Sequence, residues 1–109
     1  MLDIKLIREN PDFVRENLSR RGEPEFLRML DELIECDKLW RQHLTRLNDL
    51  RREINRITTE IAASKKRGVD ATAMVSRAKE IEKKIASLER LVGEYEEKVR
   101  YYLMRLPNL

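Results

Sequence analysis

What this chain lacks narrows its chemistry before any single residue is weighed. It has one cysteine, Cys36, and one histidine, His43. No internal disulfide can form, and a four-ligand Cys/His zinc site cannot be assembled. The three glycines are scattered at positions 22, 68 and 93, so no glycine-rich loop exists to cradle phosphates. No stretch approaches the roughly 18 consecutive apolar residues needed to cross a bilayer. The opening Met1-Leu2-Asp3-Ile4-Lys5 alternates charge with apolar groups and does not resemble a signal peptide. These absences point to a reduced, cytoplasmic setting away from membranes. Gln42 is the only glutamine, beside abundant Arg and Glu, a composition that fits a heat-adapted chain. No aromatic residue occurs between Trp40 and Tyr95.

What is present is dominated by two runs of apolar residues spaced alternately three and four apart. The first is Leu33, Cys36, Trp40, His43, Leu47, Leu50, Ile54, Ile57 and Ile61. The second is Met74, Ala78, Ile81, Ile85, Leu88, Val92, Tyr95, Val99, Tyr102 and Leu106. A 3.5-residue repeat makes a narrow seam that can be buried only against a matching seam. The basic turn Ser64-Lys65-Lys66-Arg67-Gly68 separates the runs and mirrors them, so that Ile61 faces Met74 and Leu33 faces Tyr102. The expected fold is all-α: a long antiparallel two-helix coiled-coil hairpin with one or two short N-terminal helices packed at its base. A first long helix of about 40 residues would extend ~60 Å.

The boundaries follow from local signals. Asp3 can cap a short turn holding Leu6 and Ile7. Asn10-Pro11-Asp12 reads as a helix start, with Asn at the N-cap and Pro at the first helical position. That helix would carry Phe13, Val14 and Leu18 on one face and stop at Arg20-Arg21-Gly22. The reading is therefore a helical cap over 1–22, a first long helix over 25–66, a tip turn at 67–70 and a second long helix over 71–106. Phe26, Leu27, Leu30, Ile34, Leu91 and Leu103 lie off the seam, where the cap can cover them. Pro107 ends the second helix, and 107–109 read as the start of a linker to a further domain.

No catalytic constellation emerges, and the segment alone is not expected to be an enzyme or to hold a metal or cofactor. His43 and Cys36 fall on the seam, which assigns them to the interior. Carboxylate pairs such as Glu80/Glu82 and Glu96/Glu97 sit on exposed helical faces, where i,i+4 partners explain them. Charge is more informative. Net charge is −3 over residues 1–40, +5 over 41–67, +1 over 68–90 and zero over 91–109, giving +3 in all. In the expected hairpin the two positive segments lie side by side. That sorting suggests a polyanionic partner. The candidate contacts are Arg46, Arg51, Arg52, Asn55, Arg56, Lys65, Lys66, Arg67, Arg77, Lys79, Lys83 and Lys84. With no aromatic to stack on bases, such a surface can offer only charge, hydrogen bonds and shape, which suits the backbone of structured RNA.

The opening Met1-Leu2-Asp3-Ile4-Lys5-Leu6-Ile7-Arg8-Glu9-Asn10-Pro11-Asp12 resembles the start of seryl-tRNA synthetases. So do Arg20-Arg21-Gly22, the Leu47–Ile61 stretch with Leu50-Arg51 and Asn55, the tip Lys66-Arg67-Gly68 and the exit Leu106-Pro107-Asn108-Leu109. The resemblance runs through all 109 residues. It implies the tRNA-binding arm of a class II aminoacyl-tRNA synthetase, which grips the long variable arm and elbow of serine tRNA. The parent would be an ATP-dependent serine-tRNA ligase, homodimeric through a catalytic domain that holds ATP and Mg²⁺ outside this segment. One departure is Glu53-Ile54-Asn55, where the family often has Glu-Arg-Asn. Ile54 lies on the seam, so that arginine contact does not carry over, while Asn55 and Arg56 remain candidates. The alternative is a structural or chaperone hairpin resembling a prefoldin subunit. It would expose apolar residues near the tips and assemble through strands.

Overall fold

The computed structural model describes residues 1–109. It is all-α, with α1 over Ile4–Glu9, α2 over Pro11–Ser19, α3 over Pro24–Lys66 and α4 over Thr72–Arg105. Every residue of the two apolar runs is buried or half-buried. The chain divides into two compact units, one made of Met1–Arg41 and Gly93–Leu109, the other of Gln42–Val92.

The first unit is built on local capping. The Asp3 carboxylate accepts the Lys5 backbone N–H at 2.9 Å and starts α1. Asn10 serves two helices. Its backbone N–H donates to the Leu6 carbonyl at 2.8 Å, closing α1. Its side chain accepts the Phe13 N–H at 3.3 Å, opening α2 with Pro11 in the first turn. Beyond α2, Gly22 takes φ +74°, a left-handed conformation costly for residues with a Cβ.

The core of this unit gathers Leu2, Ile7, Val14 and Leu18 with Leu30 and Leu33 of α3 and Val99, Leu103 and Leu106 near the chain end. Phe26, Leu27, Ile34, Trp40 and Tyr102 pack partly buried against it. Two expectations need correction. Phe13 is 46% exposed, whereas Val14 and Leu18 are fully buried. Val14 and Leu18 stand four apart on one helical face, but Phe13 is about 140° from Leu18 around the axis and turns outward. Cys36 is half-buried, not interior, and burial is the largest influence pushing its thiol pKa up.

An ionic cluster in this unit has no signature in the sequence. Asp37 is only 2% exposed. Its carboxylate accepts Arg8 Nε at 2.9 Å and Arg8 Nη2 at 2.7 Å, a fork-to-fork pair. Arg41 Nε approaches the same carboxylate at 3.2 Å. The Arg8 guanidinium lies 5.8 Å from the Trp40 ring centre. Its pKa is raised above the ordinary value, chiefly by the hydrogen bond to Asp37. The pair fixes α1 to α3. Nearby, the Tyr102 hydroxyl donates to the Glu32 carboxylate.

The second unit is simpler. Leu50 and Ile57 of α3 and Ala78 and Ile81 of α4 form its buried centre. Ile54, Ile61, Met74, Ile85 and Leu88 pack against them. His43 is half-buried, not fully interior. The ion pairs Arg77–Glu53 and Arg51–Glu89 tie the two helices together. At the end of α3, Val69 N–H donates to the Ser64 carbonyl at 2.8 Å and Gly68 N–H to the Lys65 carbonyl at 3.1 Å. Gly68 sits at φ +72°, which lets the chain leave the helix. Asp70 then accepts both the Thr72 N–H and the Thr72 hydroxyl, which lowers its pKa and starts α4.

Candidate nucleic-acid interface

All twelve residues singled out for RNA contact fall in the Gln42–Val92 unit, and all twelve are exposed. This unit carries twelve Lys/Arg against seven Asp/Glu, a net +5, while the other carries eleven against thirteen, a net −2. Positive charge is thus concentrated where no aromatic ring is present.

Exposure alone does not make a cation available. Arg51 is shared with Glu89 at 3.9 Å, Arg52 with Asp49 and Arg77 with Glu53. Arg46, Arg56, Lys65, Lys66, Arg67, Lys79, Lys83 and Lys84 have no such partner. Asn55 is exposed, and its backbone carbonyl accepts the Thr59 hydroxyl at 3.0 Å.

The unpaired cations are distributed unevenly over the surface. Arg46, Lys83 and Lys84 line one shallow groove of about 330 Å³ with Ser87, over Leu50 and Leu88. Lys65 and Lys79 line a second, of about 420 Å³, with Asp70, Thr72 and Ser76. Arg56, Lys66 and Arg67 line neither. Ser87 carries no charge and is not among the twelve, and neither is Arg90, an exposed cation without an ion-pair partner that the charge count over 68–90 includes. The spacing of Ser87 is the one available signal, since it stands three and four residues beyond Lys84 and Lys83.

Comparison with known proteins identifies the family. The family model for the seryl-tRNA synthetase N-terminal domain matches residues 1–109. The chain belongs to that family. A serine–tRNA ligase from Thermococcus onnurineus is 47% identical over 109 residues, covering all of this chain and 24% of the relative. That from Pyrococcus horikoshii is 45% identical over the same span. The crystal structure of seryl-tRNA synthetase from Pyrococcus horikoshii complexed with ATP superposes with a TM-score of 0.88 at 45% identity, covering 99% of this chain and 24% of that one. This seryl-tRNA synthetase N-terminal domain thus spans about a quarter of the length of the relatives it matches. It contains no strand, and nothing in the structure or the comparisons favours the prefoldin-like alternative.

Gly22, Gly68 and Gly93 are far apart in sequence, and no three His, Cys, Asp or Glu side chains converge to hold a metal ion. No helix is long and apolar enough to cross a membrane. What the exposed surface can do is hold anions by charge and hydrogen bonds.

Proposed function

We propose that this chain is the tRNA-binding arm of a serine–tRNA ligase acting in the cytoplasm. Family membership supports the assignment, and the observation that carries it is the unpaired positive charge of the Gln42–Val92 unit. Arg46, Arg56, Lys65, Lys66, Arg67, Lys79, Lys83 and Lys84 face solvent without carboxylate partners, ready to replace counterions on an RNA backbone. Arg51, Arg52, Asn55 and Arg77 complete the surface, although three of them must share their charge with protein carboxylates. Backbone contacts position a partner but carry no sequence information. Discrimination would therefore rest on shape, and the long variable arm of serine tRNA supplies a distinctive one.

In this reading the domain orients its tRNA for serylation by a catalytic domain elsewhere in the parent enzyme. ATP and Mg²⁺ would supply carboxylate activation there, and a homodimer through that domain would present the arm to the tRNA. The contribution of this chain is positional: it holds phosphates with side chains that its helices space along their exposed faces.

The test replaces Arg52, Arg56, Lys65, Lys66 and Arg67 together with Glu and measures binding to serine tRNA. A fall in affinity and in salt dependence with unchanged helical content supports the proposal. Undiminished affinity at moderate salt refutes it, as does equal binding to tRNAs with and without a long variable arm.

A further inference from the structure

The grooves differ in one respect that bears on RNA recognition. The groove lined by Lys65 and Lys79 includes Asp70. Three grooves of the other unit include Glu94 and Glu97, Glu96, or Glu32 and Glu35. The groove of Arg46, Lys83, Lys84 and Ser87 has no carboxylate in its lining. None of its three cations has an ion-pair partner. Three like charges line about 330 Å³ and repel one another, with no carboxylate in the lining and none within ion-pair distance of them.

The floor is equally distinctive. Leu50 is 2% exposed and Leu88 half-buried, so the base of the groove is aliphatic and firmly packed. A cationic rim over an apolar floor matches one nucleotide unit of an RNA backbone. Phosphate oxygens are negative, while the carbon face of a ribose is apolar. An aliphatic floor offers no π-face, so it would not select a stacked base.

We propose that this groove is a nucleotide-backbone seat: Arg46, Lys83 and Lys84 hold adjacent phosphates, Ser87 adds a hydroxyl, and the intervening ribose lies on Leu50 and Leu88. The proposal rests on the RNA-binding reading above and deepens it. It makes these three cations the principal contacts among the twelve candidates. Arg51, Arg52 and Arg77, already shared with Glu89, Asp49 and Glu53, become secondary. It also gives the groove an energetic signature. Groups placed for a ligand and against their own repulsion weaken the free fold, so neutralising them should stabilise it.

The experiment compares wild type with the triple variant R46Q/K83Q/K84Q, in the 109-residue chain and in the full-length protein. A control variant, R20Q/R28Q/R100Q, removes the same charge from the other unit. Binding of serine tRNA is measured across a salt series, and melting temperature is measured without RNA at low salt. The seat predicts a loss of affinity of at least roughly tenfold for the groove variant. The slope of log affinity against log salt should fall by about two to three. Melting temperature should hold or rise. The control should retain its affinity to within about threefold, the smaller effect of diffuse charge. Equal losses in both variants would reduce the groove to net charge and overturn the proposal. So would a groove variant that binds like wild type while the five-residue Glu variant does not, although RNA binding itself would then stand. A lowered melting temperature accompanying the loss would mark the cations as structural and overturn the seat as well. If wild type itself fails to bind tRNA, the seat and the reading beneath it fall together.

Discussion

Removing the Asp37 carboxylate should destabilise the first unit more than any exposed ion pair in the chain could. Its side chain is 3% exposed and receives two hydrogen bonds from Arg8, with Arg41 as a further cation. A hydrogen bond to a charged group contributes about 1.5–3 kcal/mol, which would put the gross effect of losing two near 3–6 kcal/mol. Part of that returns, because the Arg8 and Arg41 side chains are 31% and 54% exposed and can be rehydrated. The expected net cost of Asp37→Ala is therefore about 2–3 kcal/mol. With an unfolding entropy of about 0.23 kcal/mol/K for a chain of this length, the melting temperature should drop by roughly 10 °C. Arg8→Ala should cost about 3 kcal/mol or more, since it leaves a buried carboxylate facing only Arg41. Thermal and urea unfolding followed by circular dichroism would supply both values, and the double variant would close the cycle. A coupling energy above about 1 kcal/mol is expected. Single costs under about 0.5 kcal/mol that simply add would show that the pair behaves like a surface contact and that burial does not strengthen it.

Other expectations are equally direct. Tyr102 has its pKa pushed up to about 12 because its hydroxyl donates to Glu32. A folded pKa above the unfolded value of about 10 contributes stability that is complete below pH ~10 and lost as pH rises toward 12. Unfolding measured from about pH 9 to about pH 12 should show that loss in wild type and not in Tyr102→Phe. Cys36, its thiol pKa raised mainly by burial, should react with a thiolate-specific reagent at neutral pH more slowly than free cysteine. A matched rate would contradict this. Gly68→Ala should cost about 1 kcal/mol from the positive φ alone, because open space surrounds the position. Gly68→Asn should cost less, and equal stability of all three forms in urea would rule out backbone strain at this turn.

Much of the fold is legible in the sequence because its determinants are local. The seam runs need only a period, and Asp3, Asn10-Pro11, Gly22 and Gly68 each act within a few residues of themselves. Phe13 departs from the expectation because neighbours in sequence are not neighbours on a helix: it follows no 3–4 spacing to Leu18 and stands about 140° from it around the axis. Asp37 cannot be found this way at all. Its partner Arg8 lies 29 positions earlier on another helix, and nothing in Glu35-Cys36-Asp37-Lys38 distinguishes a buried carboxylate from an exposed one. The candidate interface divides similarly. Charge counts locate the basic unit, and the i,i+3 pair Arg52–Asp49 is open to inspection. The capture of Arg77 by Glu53, 24 positions away, and the convergence of Arg46 on Lys83 and Lys84 require both helices in place.

The double duty of Asn10 has a consequence for the dynamics of the N-terminus. Helices of six and nine residues are too short to persist alone in water. Because one residue closes α1 with its backbone and opens α2 with its side chain, fraying cannot stop at the junction. The segment from Met1 to Ser19 should open and close as one cooperative element. Native-state hydrogen exchange would register this as a shared opening free energy for the amides of Asn10 and Phe13, one on each side of the joint.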